Sequence, residues 1–243
     1  MKTYGLIGKS LSHSFSKKYF AEKFAHLGLI DSEYINIEIE TIEEFVEKVK
    51  ELESKGLNVT IPYKEAIIPY LDDIDEVAKE IGAVNTVVFK NGKLKGYNTD
   101  AFGFHQSIKP FLKPQHERAL ILGTGGASKA VEYVLKQYGV KVMFASRNDS
   151  KNNVLNWNDI NEHVIKHHLL IINCTPLGMF PNIASKPAIP YSALTERHLL
   201  VDLVYNPDET LFLKQGKENG AKVINGVTML QQQAEKSWSL WND

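Results

Sequence analysis

Three glycines fall within four residues at Gly123, Gly125 and Gly126, followed by Ala127 and Ser128. A continuous apolar run at 119–122 precedes them and a helical stretch follows. Glycines let a chain turn sharply and come close to a pyrophosphate, and a helix N-terminus offers unpaired N–H groups to it. The arrangement therefore predicts a loop that holds a nicotinamide dinucleotide. Its spacing, Gly-x-Gly-Gly-Ala, departs from the plain G-x-G-x-x-G form, with Ala127 and Ala130 where a third glycine could stand. A ligand-free turn is the alternative, but three glycines are costly unless close approach is needed.

The tip of the following strand selects the cofactor. NAD sites place a carboxylate there to bind the ribose 2′-OH. Here Ser146, Arg147 and Asn148 occupy it, with Lys151 close behind and Asp149 nearby. A guanidinium suits a 2′-phosphate through charge-assisted hydrogen bonds, so the expectation is NADP over NAD.

A second set of polar residues lies earlier. Asn58 to Lys64 reads N-V-T-I-P-Y-K, at the carboxyl end of a strand, where open α/β sheets bind ligands. Gly82 to Thr86 reads G-A-V-N-T, Gly96 to Asp100 reads G-Y-N-T-D, and Gly8 to Ser16 is rich in hydroxyls. Hydroxyls, amides, a lysine and an aspartate suit a small polyhydroxylated anion, and the residues alone say no more. His163 and His167 stand four apart but have no acidic or Cys partner, so a solvated face is expected and no metal. Cys174 reads as a packed small side chain.

The elements that must position these groups follow from composition and pattern. The 243 residues allow one large or two small domains, with 43% hydrophobic and 23% charged residues, as in ordinary globular proteins. A net charge of -1 argues against a nucleic-acid partner. No apolar run reaches the ~18 residues of a membrane span, and the N-terminus turns polar too early for a signal peptide. The single cysteine excludes an intrachain disulfide and fits a reducing cytoplasm.

Strands are expected at 3–7, 34–39, 56–61, 84–89 and 93–97, and helices at 16–27 and 42–52. Asn91-Gly92 marks a hairpin. From 118 onward the rhythm is strand and helix in alternation, with strands at 119–122, 140–145, 169–172, 199–204 and 221–224. Helices are expected at 127–138, 209–218 and 229–241, and a linking helix across 100–114. Such alternation implies a parallel sheet covered on both faces. Residues 178–191, with three prolines, read as a loop.

Taken together, the motifs resemble those of the shikimate dehydrogenase family over nearly the whole chain. Besides the four already quoted, N-C-T-P-L-G-M at 173–179, D-L-V-Y-N-P at 202–207 and G-V-T-M-L at 226–230 with Gln233-Ala234 stand in the family's order. The resemblance implies an α/β chain of two domains: an N-terminal mixed α/β substrate domain (1–100 plus 226–243) and a Rossmann-type doubly wound dinucleotide-binding domain (101–225), with the active site between them.

It further implies NADPH-dependent, reversible reduction of 3-dehydroshikimate to shikimate in aromatic amino-acid biosynthesis. Lys64 and Asp100 would be the catalytic pair. Ser14 and Ser16 would bind the substrate carboxylate, and Thr60, Asn85, Tyr205 and Gln233 the rest of the substrate. Gly123, Gly125, Gly126, Ala127, Ser146, Arg147, Asn148 and Lys151 would hold the cofactor's phosphates, and Asn173, Thr175, Leu203 and Gly226 its nicotinamide side. The partner expected is the small-molecule substrate, on a monomer or homodimer. The family usually has prolines where Ser10 and Lys17 stand, and glycine where Thr228 stands. Three readings stay open beside it: an NAD-dependent quinate/shikimate dehydrogenase, a folate dehydrogenase of similar plan, and a non-catalytic dinucleotide-binding regulator.

Overall fold

The computed structural model describes residues 1–12, 14–52, 54–147 and 153–243, the side chains of Lys50 and Glu51 apart. The chain separates into two compact units, Met1–Thr99 with Ala234–Asp243, and Asp100–Gln233. The division falls inside a continuous last helix, so a boundary placed at 226 from the motif order lies before that helix begins.

The first unit contains β1 (Lys2–Gly8), α1 (Phe15–His26), β2 (Ser32–Glu38), α2 (Glu44–Leu52), β3 (Gly56–Val59), α3 (Tyr63–Ala66), β4 (Asp73–Ile74), α4 (Glu76–Ile81), β5 (Thr86–Lys90) and β6 (Lys93–Tyr97). Its sheet has the order β2-β1-β3-β5-β6-β4. Pairing is parallel among β1, β2 and β3, and antiparallel for β3–β5 and β5–β6. Asn91 and Gly92 take φ of 54° and 74°, the left-handed conformation that a two-residue hairpin turn requires.

Both faces of this sheet are covered. Tyr4 and Leu6 of β1 pack with Phe20, Phe24 and Trp241, while Ile7 packs on the other side with Phe45, Leu57 and Ile67. The alternation of β1 thus feeds two apolar layers. Gly56 is needed where Trp241 crosses β3, since a methyl group there would lie 2.1 Å from the indole. The indole N–H also donates to the Val87 carbonyl at 3.1 Å.

The second unit begins in α5 (Thr99–Ile108) and continues through β7 (Arg118–Leu122), α6 (Gly126–Gln137), β8 (Lys141–Ser146), β9 (Val154–Asn156), α7 (Glu162–His167), β10 (Leu170–Asn173), β11 (Leu199–Asp202), α8 (Leu211–Glu218) and β12 (Lys222–Ile224). It ends in the first part of α9 (Val227–Asn242). The sheet order β12-β11-β10-β7-β8-β9 is parallel throughout. Counted from β7, this is the 3-2-1-4-5-6 order of a Rossmann sheet, with its topological switch between β7 and β10. Strands β7, β10 and β11 are buried along most of their length, as a sheet covered on both faces demands.

Several boundaries differ from the pattern-based expectation, each for a local reason. Helix α2 starts at Glu44, whose carboxylate accepts the N–H groups of Glu40 and Thr41 and so closes the helix N-terminus. Strand β11 stops at Asp202 because its carboxylate takes the Val204 N–H away from the ladder. The end of the 178–191 loop is anchored: Ile189 and Tyr191 are buried in the core of the second unit. Among the described residues, no helix is long and apolar enough to cross a membrane.

Candidate active site

In the first sheet the parallel strands β1, β2 and β3 end on one edge. β5 starts from that edge and β6 returns to it, because both pairings are antiparallel. The loop after Gly8, the Thr60 to Lys64 turn, Asn85 and the Asn98–Thr99 segment therefore share one edge. Backbone hydrogen bonds stitch them together. Thr60 N–H donates to the Ile7 carbonyl at 2.9 Å, Val59 N–H to the Asn85 carbonyl at 2.8 Å, and Val84 N–H to the Lys64 carbonyl at 2.7 Å.

Beneath this edge runs a buried polar chain. The phenol of Tyr34 is pushed far up by burial, the larger effect, against the weaker downward pull of nearby Ser16. Tyr34 donates to Asn58 Oδ1 at 2.8 Å, and Asn58 Nδ2 donates to Thr86 at 3.1 Å and Ser237 at 2.9 Å. Ser237 meets Thr86 at 2.8 Å and Thr99 at 3.1 Å. Asn85 Oδ1 in turn accepts the Thr99 N–H at 2.7 Å. Asn58 and Thr99 stand in motifs that assign them no role, and Tyr34 and Ser237 carry no sequence signal because their partners are distant along the chain.

Ser14 caps α1 without a side-chain capping bond, and its Oγ is buried with no hydrogen-bond partner among the described residues. Such an orphaned hydroxyl is costly unless a ligand completes it. Lys64 sits half-buried in α3, and Thr60 is half-buried just after β3. In the second unit Asp100 is buried in the first turn of α5, Gln233 is buried in α9, and Tyr205 is half-buried after β11. His13 lies outside the described residues.

The second sheet brings Gly123, Arg147, Cys174, Leu203 and Gly226 to its carboxyl edge, because all its strands are parallel. Gly123 has φ of 107°, and a methyl group on it would press on Thr175 Cγ2 at 3.1 Å. Thus the loop after β7 and the loop after β10 close on each other at the switch point. A methyl group on Gly125 would meet nothing within 4 Å. Gly125 caps α6 without a side chain, and Ser128 folds its hydroxyl back to the Gly125 carbonyl at 2.6 Å. The first turn of α6 carries no acidic residue. An open space before an uncapped helix N-terminus fits a dinucleotide pyrophosphate. Arg147 is exposed after half-buried Ser146 at the end of β8. Asn148 and Lys151 lie outside the described residues.

Asn173 is fully buried and serves the edge from within. Its Nδ2 donates to Asp202 Oδ1 at 2.9 Å and to the Leu177 carbonyl at 3.2 Å. Its Oδ1 accepts from the Thr175 N–H at 3.0 Å and hydroxyl at 2.6 Å. The amide thereby shapes the 174–177 turn. Asp202, quoted in a motif but given no role from sequence, also accepts the Thr210 hydroxyl at 2.5 Å. Burial and, less strongly, this carboxylate push the Cys174 thiol up, away from nucleophilic thiolate. Gly226 lies against the β11 loop, where a methyl group would come 2.2 Å from the Leu203 carbonyl oxygen. His167 and His168 each direct Nδ1 to a carbonyl one helical turn back, those of His163 and Val164.

Residues 6–87 match the family model of the shikimate dehydrogenase substrate binding domain. The chain is 41% identical to shikimate dehydrogenase (NADP(+)) of Halothermothrix orenii, over 98% of this chain and 89% of that protein. The crystal structure of the Aquifex aeolicus shikimate dehydrogenase superposes with a TM-score of 0.89 at 37% identity, covering 100% of this chain and 92% of that one. The Thermus thermophilus enzyme, solved with NADP(H) and shikimate, gives 0.86 at 32% identity, covering 99% and 93%. Similarity of this extent, together with the motifs on both sheet edges, shows that the chain belongs to the shikimate dehydrogenase family.

Proposed function

We infer that the chain catalyses the reversible, NADPH-dependent reduction of 3-dehydroshikimate to shikimate. The near full-length identity to NADP-dependent family members supports the reaction. The gathering of the Ser14, Thr60, Lys64 and Asn85 segments on one sheet edge carries the assignment of residues.

When bound, NADPH supplies the hydride that the substrate carbonyl carbon accepts. Gly123, Gly125, Gly126 and Ala127 hold its pyrophosphate, and Ser146 and Arg147 its 2′-phosphate, with Asn148 and Lys151 following. Thr175, Leu203 and Gly226 line the nicotinamide side, and Asn173 acts there by fixing the 174–177 turn. Ser14 and Ser16 give the substrate carboxylate two hydroxyl donors. Thr60, Asn85, Tyr205 and Gln233 hold the remaining oxygens. As the carbonyl becomes an alcohol, Lys64 delivers the proton to the developing oxyanion, with Asp100 as the other member of the catalytic pair. General acid catalysis of this kind contributes roughly 10²–10⁴-fold. The small-molecule substrate and nucleotide are the partners this reading requires.

Initial rates of NADP reduction with shikimate, set against quinate and against NAD, test the reading. Shikimate with NADP is expected to be the preferred pair. Arg147→Ala is expected to lower the NADP-over-NAD preference roughly 10- to 100-fold, the loss of a charge-assisted contact. Equal rates with NAD, unchanged by that substitution, would overturn the cofactor assignment.

A further inference from the structure

Leu11 is gripped from three sides. Its N–H donates to Glu38 Oε1 at 2.6 Å, and its carbonyl accepts from Asn36 Nδ2 at 2.9 Å. The same carbonyl accepts the Ser14 N–H at 3.0 Å. Asn36 and Glu38 are two apart on β2, so they project from the same face of the strand. The Leu11 side chain is 4% exposed and lies against Gly8, beside Thr60. A methyl group on Gly8 would come 2.6 Å from Leu11 Cδ2 and 2.7 Å from Thr60 Cγ2. Leu11 thus fills the space that Gly8 leaves and links the Ser14 turn to Thr60.

Two buried side-chain oxygens lack a partner among the described residues, Ser14 Oγ and Asn36 Oδ1. Both belong to groups bonded directly to Leu11. A segment pinned this firmly, yet carrying an unsatisfied hydroxyl, is organised for something outside the chain.

We propose that Glu38 and Asn36 are positioning residues for the substrate carboxylate, acting through Leu11 to hold Ser14 in its binding geometry and in register with Thr60. The inference rests on the reading of Ser14 and Thr60 as substrate contacts. It deepens that reading by naming what sets their spacing. Glu38 acts as an acceptor here. Its negative charge alone would repel a substrate carboxylate, so removing charge and removing the acceptor have opposite consequences.

The test uses the full chain and compares Glu38→Ala with Glu38→Gln. KM for shikimate is expected to rise about 10-fold in Glu38→Ala, the loss of one hydrogen bond to a charged group, with kcat within about twofold. Its kcat/KM preference for shikimate over the methyl ester of shikimate is expected to shrink. Glu38→Gln keeps an acceptor oxygen for Leu11 and is expected to restore both values. NADP affinity, titrated separately, is expected to stay unchanged. Asn36→Leu, which removes the donor to the Leu11 carbonyl without adding a charge, is expected to reproduce the KM shift and serves if Glu38→Ala does not fold.

The proposal is overturned if Glu38→Ala and Asn36→Leu bind shikimate as the parent does. It is equally overturned if Glu38→Gln is as impaired as Glu38→Ala, or if NADP affinity falls in parallel with KM. A parent protein inert toward shikimate would overturn the functional reading itself, a result distinct from an active parent with unaffected variants.

Discussion

The side-chain oxygen of Asn85 accepts the backbone N–H of Thr99 at 2.7 Å, and both residues are buried. This bond joins the strand start that carries a substrate-side amide to the residue preceding Asp100. The Thr99 hydroxyl extends the join, meeting Asn85 Nδ2 at 3.0 Å, Thr86 at 3.1 Å and Ser237 at 3.1 Å.

Thr99→Val is the sharpest probe of this join. It keeps the backbone donor and the side-chain volume but removes the hydroxyl from three buried polar neighbours. A loss of about 1–3 kcal/mol is expected, because buried hydrogen-bonding groups are expensive to leave unmatched. Urea unfolding checks it, and a stability equal to the parent's would show that the network contributes nothing.

Asp202 predicts a pH dependence. Burial pushes its carboxyl up to about 6, against the opposing hydrogen bonds of Thr210, Val204 and Asn173. The folded protein therefore keeps a proton that the unfolded chain releases near its ordinary value of 3.8. Stability from this group is full below that value and is lost as pH rises through about 6. The loss amounts to about 3 kcal/mol at ~1.36 kcal/mol per pH unit. In Asp202→Asn the slope of unfolding free energy between about pH 4 and pH 6 should flatten relative to the parent. An unchanged slope would remove Asp202 as its source.

The glycines of the second sheet edge separate space kept for protein from space kept for ligand. Gly125→Ala introduces no clash, and its extended backbone tolerates any residue. It should fold with the parent's Tm yet bind NADPH at least about 10-fold more weakly, by crowding the close approach of the pyrophosphate. Gly226→Ala presses on the Leu203 carbonyl and should lower Tm as well. Fluorescence titration and thermal unfolding distinguish the two. Undiminished NADPH affinity in Gly125→Ala would place the pyrophosphate elsewhere.

Much of this arrangement is legible in the sequence where a local rule applies. Asn91-Gly92 reveals its hairpin because only such residues take the required φ, and the apolar run of β7 reveals a strand buried on both faces. The Gly123 to Ser128 loop is legible because close approach has a residue-level cost. Short elements such as α3, α4, β4 and β9 fall below any periodic signal. The pairing of Asp202 with Asn173, 29 residues away, and of Asn58 with Ser237, 179 residues away, comes from strand order and leaves no local pattern. The grip of Asn36 and Glu38 on Leu11 is hidden for the same reason: alternating polar residues on a strand read as a solvated face until a neighbouring loop folds over them.

The most direct test of the account is NADPH absorbance followed on addition of 3-dehydroshikimate to the parent protein and to Lys64→Ala. The parent is expected to consume one NADPH per ketone. Lys64→Ala is expected to bind substrate nearly as well but turn over roughly 10²–10⁴-fold more slowly. A parent that binds NADPH but leaves its absorbance unchanged would contradict the assigned reaction. A Lys64→Ala variant with undiminished kcat would contradict the role given to Lys64.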